Sequence, residues 1–254
     1  MSAVAQAQVA VGNRLPSSGA LQIKLLVTLK SALAARGWFP TLLLIVHRVL
    51  DKLSAGRVTL VPFALVAQPL GAGLNTVRED AGTRVWIAHP QDDVVSEFPR
   101  PTAVNQGRWQ AGAVCHAVTV KGKFAGTLWT QRDFYDEDIV RARYVLAEPA
   151  CSVWDFDVFV VPRYRLGRTM ARLWKAVDAD LSAQGVQWSF SRISLFNAES
   201  MNSHARLGAV VVGHAIFLVA GKLQLSFSEQ APFFRLGWSQ KHRPVFTLRP
   251  PRPR

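Results

Sequence analysis

Two carboxylates, one imidazole and a run of arginines are the residues whose spacing in this chain could do chemistry. Asp155 and Asp157 alternate along Trp154-Asp-Phe-Asp-Val-Phe-Val-Val161, a stretch that reads as a strand, so both carboxylates are expected on one face. In a covered sheet a carboxylate survives where a cleft or water reaches it. A ligand-binding cleft meets that condition, as does neutralisation by arginines such as Arg141 or Arg143. Arg163, Arg165 and Arg168 lie in the turn after Pro162, just ahead of a helix whose first N–H groups and dipole favour an anion. The plainer alternative is a βα turn with solvated arginines. His204 falls on a short segment between Asn197 and Gly208, where an imidazole can give or take a proton near neutral pH or serve as a packed structural side chain.

The elements that must position these groups follow from periodicity. Trp154, Phe156, Val158 and Val160 are expected on one strand face, opposite Asp155, Asp157, Phe159 and Val161, and Pro162 ends the pairing for want of an N–H. Leu166, Met170, Leu173, Trp174, Val177 and Leu181 then recur at helical spacing, and Gly185 suits the C-terminal end of that helix. Val186–Leu195 reads as the next strand, and Asn197 and Gly208 as the cap and stop of a short helix.

These segments resemble the GNAT superfamily of acyl-CoA-dependent N-acyltransferases. The strand motif of that family is matched at Asp157, Val158, Val160, Pro162, Arg165 and Leu173, and its second motif at Asn197, Ser200, His204 and Gly208. The resemblance implies an α/β fold: a mixed, mostly antiparallel sheet flanked by helices, here with an N-terminal helical extension. It implies acetyl-CoA, or another acyl-CoA, as donor and an amine as acceptor. It further implies that backbone N–H groups around Val160 and Val161 hold the thioester carbonyl. Arg165, Leu166, Gly167 and Arg168 would then meet the cofactor, with Asn197 and Ser200 beside it. His204 takes the place of the family's tyrosine as proton donor to the leaving thiolate, and Asp155 and Asp157 line the amine cleft. The turn departs from the family pattern. Arg168 and Met170 stand where glycines are usual, and the one glycine is Gly167. Arg168 would either crowd the phosphates or bind them directly.

The remainder of the chain is read around this centre. Residues 1–20 carry no apolar periodicity and lack the pattern of a secretory signal. Residues 21–56 read as a basic helical extension. In it, Leu21, Leu25, Leu29 and Leu33 share one face, Gly37 and Pro40 interrupt, and Leu42, Val46, Val49, Leu50 and Leu53 share another. That extension, over 21–53, would pack on the domain or lie on an anionic membrane surface. The acyltransferase domain is placed at 57–230. Arg57–Ala67 is expected as a strand that Pro62 makes an edge or a bulge, and Ala113–Val120 and Phe124–Gln131 as a hairpin. Ile139–Leu146 reads as one further strand, and Ala209–Ala220 with Lys222–Phe227 as a second hairpin. Residues 231–254 form a C-terminal segment ending in a Pro/Arg-rich tail from Pro244, expected to be disordered.

Composition narrows the function classes. With 49% apolar residues, global disorder is excluded, and a net charge of +13 calls for an anionic partner. Two cysteines make no disulfide framework, which suits the cytoplasm, and no histidine–cysteine spacing suits zinc. Neither a G-x-S-x-G elbow nor a P-loop is present. The resemblance therefore implies an N-acyltransferase. A second reading is a non-catalytic domain of the same fold whose basic surface meets a membrane, or less readily nucleic acid.

Overall fold

The computed structural model describes residue 34 and residues 37–71, 77–165 and 167–251. The readings for residues 1–20, for the stripe from Leu21 to Leu33 and for Leu166 lie outside them. Helix α1 (Trp38–Leu53) leads into strand β1 (Val58–Pro69). Then come β2 (Thr83–Ala88), α2 (Thr102–Gln110) and the hairpin β3 (Val114–Val120)–β4 (Lys123–Gln131). Two short strands follow, β5 (Phe134–Asp136) and β6 (Arg143–Leu146). The central unit is β7 (Ser152–Val160), α3 (Thr169–Ala183), β8 (Trp188–Ser194) and α4 (Ala198–Arg206). The chain closes with β9 (Val210–Ala220), β10 (Leu223–Ser228), β11 (Phe234–Gly237) and β12 (Val245–Leu248).

Nine strands make one sheet in the order β11-β10-β9-β1-β8-β7-β4-β3-β2. Every pairing is antiparallel except β7 with β8. The architecture is therefore α/β with a mixed, mostly antiparallel sheet. Its faces carry two cores. Phe63, Trp129, Trp154, Phe156 and Phe190 lie in one, and Leu128, Val153, Leu173, Trp174 and Val177 in the other, under α3. The buried His116 on β3 meets Asp180 of α3 at 3.1 Å and ties that helix to the sheet.

Three expectations are corrected. Strand β1 is neither an edge nor bulged at Pro62, since it lies between β8 and β9. Pro62 is tolerated because β8 ends there. Its carbonyl still accepts from Leu195 N–H at 3.0 Å, on the side where its own missing N–H would have been used. The actual bulge in the β1–β9 ladder lies at Leu65/Val66. Residues 139–146 do not form one strand. Only Arg143–Leu146 pairs, in a small sheet β12-β6-β5. The segment after Pro244 is not a tail at its start, because β12 runs parallel to β6 with Phe246 and Leu248 fully buried. Phe246 seats against Tyr144, which in turn stacks on Trp154 at 4.6 Å. Alternation of Phe246 and Leu248 with the exposed Val245 and Thr247 gives one buried face, and that outweighs the proline and arginine content around it.

Helix α1 also departs from its expected packing. Thr41 is its buried residue, bonded to the Gly37 carbonyl at 2.7 Å, and Leu43 packs near Ala64 and Val66 of β1. The stripe of Leu42, Val46, Val49 and Leu53 is turned outward instead.

Candidate active site

Strands β7 and β8 pair only at Ser152–Trp154 with Trp188–Phe190, then part. Beyond that point the sheet opens. The opening holds a cavity of about 340 Å³ lined by Asp155, Asp157, Met170, Ser191, Ser200 and His204, among others.

What parts the strands is a bulge in β7. The β4–β7 register gains one residue between Phe156 and Phe159, and Asp157 takes a positive φ of 46°, which a non-glycine residue rarely adopts. Gly126 on β4 makes room, since a Cβ there would collide with the Phe159 carbonyl oxygen. Two consequences follow. The period-2 reading fails after Phe156, so that Phe159 and Val161 pack with Trp154 and Phe156 while Val158 joins the core under α3. The two carboxylates also do not share a face. Asp157 binds Arg108, whose guanidinium lies over the rings of Trp129 and Phe156. Asp155 binds Ser189, which alternates with Trp188 and Phe190 and so faces the other way.

Asp157 is a clamped ion. Arg108 donates to its Oδ2 at 2.6 Å, and Arg100 forks onto both oxygens at 3.0 and 3.1 Å. Burial pushes its pKa up, but these two guanidiniums outweigh burial and hold it below the usual carboxylate range. It therefore fixes the bulge and is a poor proton acceptor. Asp155 is the contrary case. Burial pushes it up to about 7, opposed by the Ser189 hydroxyl that donates to Oδ2 at 2.7 Å. The Ser191 hydroxyl also lowers it, from outside hydrogen-bond geometry. A carboxylate that titrates near neutrality can take a proton from an ammonium group.

His204 is buried on α4, edge-on to Trp174. Its Nδ1 lies 3.0 Å from Oε1 of Gln68, and burial lowers the pKa of the ring. Gln68 on β1 is the register partner of Ser189 on β8. His204, Gln68, Ser189 and Asp155 thus form one polar layer across α4, β1, β8 and β7. The end of β1 also holds the end of α4, because Pro69 packs against Gly208, where the chain turns with φ +82°.

The basic turn is arranged differently. Pro162–Tyr164 form a short 3-10 turn, and α3 starts only at Thr169. The first backbone bond into α3 is Arg172 N–H to the Arg168 carbonyl at 2.9 Å. The N–H groups of residues 168–171 have no acceptor among the described residues. Arg168 is exposed, as is Gly167, while Met170 turns inward to the cavity. Arg165 spends its Nε on the Val160 carbonyl at 2.9 Å. Val161 N–H donates to Ala125 at 2.9 Å, so it is used by the sheet. By antiparallel alternation the N–H of Val160 then points away from β4, into the opening. Asn197 caps α4, its Oδ1 accepting from Ser200 N–H at 3.0 Å.

The structure thus brings Asp155, Asp157, Ser200 and His204 to one cavity, and Val160 with the turn of Arg165, Gly167 and Arg168 follows along the chain. Sequence reasoning missed Gln68, Ser189, Arg100 and Arg108. Gln68 and Ser189 carried a signal: one polar residue inside the apolar run of β1, and Trp-Ser-Phe-Ser alternation in β8.

No family model matches the chain, and no curated protein does. Solved structures do resemble it. A putative GNAT-family acetyltransferase from Novosphingobium aromaticivorans is 17% identical, with 63% of this chain and 65% of that one covered and a TM-score of 0.41. A tandem GNAT protein of the clavulanic acid biosynthesis pathway is 13% identical, with 66% and 56% covered and a TM-score of 0.47. A functionally unknown conserved protein from Staphylococcus epidermidis is 11% identical, with 68% and 66% covered and a TM-score of 0.47. The chain spans less than two thirds of the length of each.

Proposed function

We propose that this chain is an N-acyltransferase, moving an acyl group, most simply acetyl, from an acyl-CoA to an amine by direct attack. The observation that carries the reading is the opening between β7 and β8, with a carboxylate poised near neutrality inside it and the Val160 N–H turned away from β4 by strand alternation. The residues present suit a thioester with a phosphate tail. Val160 N–H is available to a carbonyl oxygen, and the four N–H groups at the start of α3, with Arg168 beside them, suit phosphate. A thioester supplies the activated carbonyl. The chain supplies position and protons. Asp155 takes the first proton from an ammonium group, freeing the amine to attack, and His204 handles the proton released as the new bond forms. The cavity of about 340 Å³ admits a small acceptor or the end of a larger one.

The test is a mass-spectrometric screen of small amines with acetyl-CoA and longer acyl-CoAs, run beside an Asp155→Asn variant. Acylated product that depends on Asp155 supports the proposal. Hydrolysis alone, or product formed equally by the variant, contradicts it.

One observation favours a second reading. The outward stripe of Leu42, Val46, Val49 and Leu53 lies on the helix that carries Arg48 and Lys52, a pattern suited to an anionic lipid surface. No helix among the described residues is long and apolar enough to cross a membrane. Sedimentation with anionic vesicles, abolished by Val46→Asp and Val49→Asp together, would support this role. It is compatible with acyl transfer.

A further inference from the structure

We infer that Gln68 is a positioning residue that sets the tautomer of His204 and makes it a proton relay rather than a standing acid. This rests on the acyl-transfer reading for its chemistry, though not for its geometry. Gln68 is the penultimate residue of β1, a strand outside both sequence motifs that nonetheless runs through the middle of the sheet. It is 2% exposed, next to the apolar run Leu60–Ala67, and its side chain reaches His204 Nδ1 at 3.0 Å. An amide oxygen can only accept, so Nδ1 carries the proton and Nε2 holds the lone pair. Nε2 has no partner among the described residues, and the ring lines the cavity.

The surroundings keep that ring neutral. Trp174 lies edge-on at 6.1 Å, and no carboxylate among the described residues is bonded to the imidazole. Asp155, the nearest acidic member of the layer, is separated from it by Gln68 and Ser189 and is itself raised by burial. A neutral ring with its proton held by Gln68 has none to offer from Nε2. It must first accept one.

The step balances on that basis. As the amine nitrogen bonds to the acyl carbon, its N–H bond breaks and the proton passes to Nε2. The carbon–sulfur bond then breaks, the sulfur takes the electron pair, and Nε2 returns the proton to it. Imidazole ends neutral, with its Nδ1 proton still on Gln68. The proton taken earlier by Asp155 is the one released to solvent.

The test is nitrogen-15 NMR of the histidine rings in the unliganded protein, assigned with His204→Phe and compared with Gln68→Met and Gln68→Glu. Wild type should show His204 protonated at Nδ1 at neutral pH. Gln68→Met, which removes the acceptor at similar volume, should shift the proton toward Nε2 and slow turnover under saturating substrates. Gln68→Glu keeps an acceptor, so it should keep the Nδ1 tautomer and raise the pH at which the ring titrates by about one to three units. A wild-type ring protonated at Nε2, as the opposite amide orientation would give, overturns the proposal. So does a Met variant whose ring signals match wild type. If Gln68→Met fails to fold, the wild-type and Glu spectra still decide. Failure of acyl-CoA to bind would sink the acyl-transfer reading and leave these spectra as they are.

Discussion

Two regions meet at the opening between β7 and β8, and they are built in opposite ways. On one side, Asp157 is held by two arginines, Asp155 by a serine and His204 by a glutamine. On the other side, the turn from Pro162 to the start of α3 has four N–H groups without acceptors among the described residues, and its arginines lie largely in solvent. Groups that move protons must be held in one geometry and one protonation state before substrate arrives. Groups that hold a polyanion can be completed by it. The contrast predicts that substitutions on the pinned side change rate or folding, whereas those on the open side change affinity.

The largest effect is expected at Asp155. Asp155→Asn should lower turnover by about 10²–10⁴-fold while leaving acyl-CoA affinity within a factor of about two, as measured by steady-state kinetics and calorimetry. The same variant has a sign-reversed effect on stability. The native pKa of Asp155, about 7, lies above its ordinary value of 3.8. The native state therefore keeps the proton longer. Stability is whole below pH 4 and falls as pH rises through 7. Asp155→Asn removes that loss, so thermal melts should show it more stable than wild type at pH 8, by roughly 4 kcal/mol at most. The two should converge near pH 4.

Asp157 should behave in the contrary manner. Asp157→Ala leaves Arg108, which is mostly buried, without a counter-ion, and should cost about 3–5 kcal/mol in urea unfolding at neutral pH. A base at this position would instead show as a rate effect with unchanged stability.

Gly126→Ala sharpens the comparison at the bulge itself. Its Cβ would meet the Phe159 carbonyl, so the bulge must shift, at about 1–3 kcal/mol, and the aim of Val160 N–H shifts with it. The expected readout is a loss of turnover larger than the loss of melting temperature explains.

The smallest effect belongs to the open side. Arg168→Ala should weaken acyl-CoA binding by several-fold, in a salt-dependent way, with turnover at saturation unchanged. A loss in turnover with affinity intact would erase the distinction between the two regions.

Much of this was legible in the sequence, for local reasons. The α3 stripe and the β3–β4 hairpin are set by periodicity and turn residues that need no partner to be read. Asp155, Asp157 and His204 were picked out by residue type, spacing and the motif resemblance, and all three reach one cavity. What could not be read depends on non-local pairing. The bulge at Asp157 exists because β7 gains a residue against β4, and only the register of two strands separates the faces of Asp155 and Asp157. Gln68 reaches His204 because β1 inserts between β8 and β9, a choice of topology that strand periodicity does not encode. Phe246 and Leu248 looked like a tail because their partners on β6 lie about a hundred residues away, beyond any local pattern.

Where an acyl-CoA binds is measured most directly by amide-resolved NMR during titration with acetyl-CoA. The predicted result is a saturable shift that is largest at the amides of Val160 and of residues 168–171, with side-chain changes at His204 and little change across β9–β11. Saturating acetyl-CoA that leaves Val160 and the start of α3 unmoved, or that perturbs only α1, would contradict it.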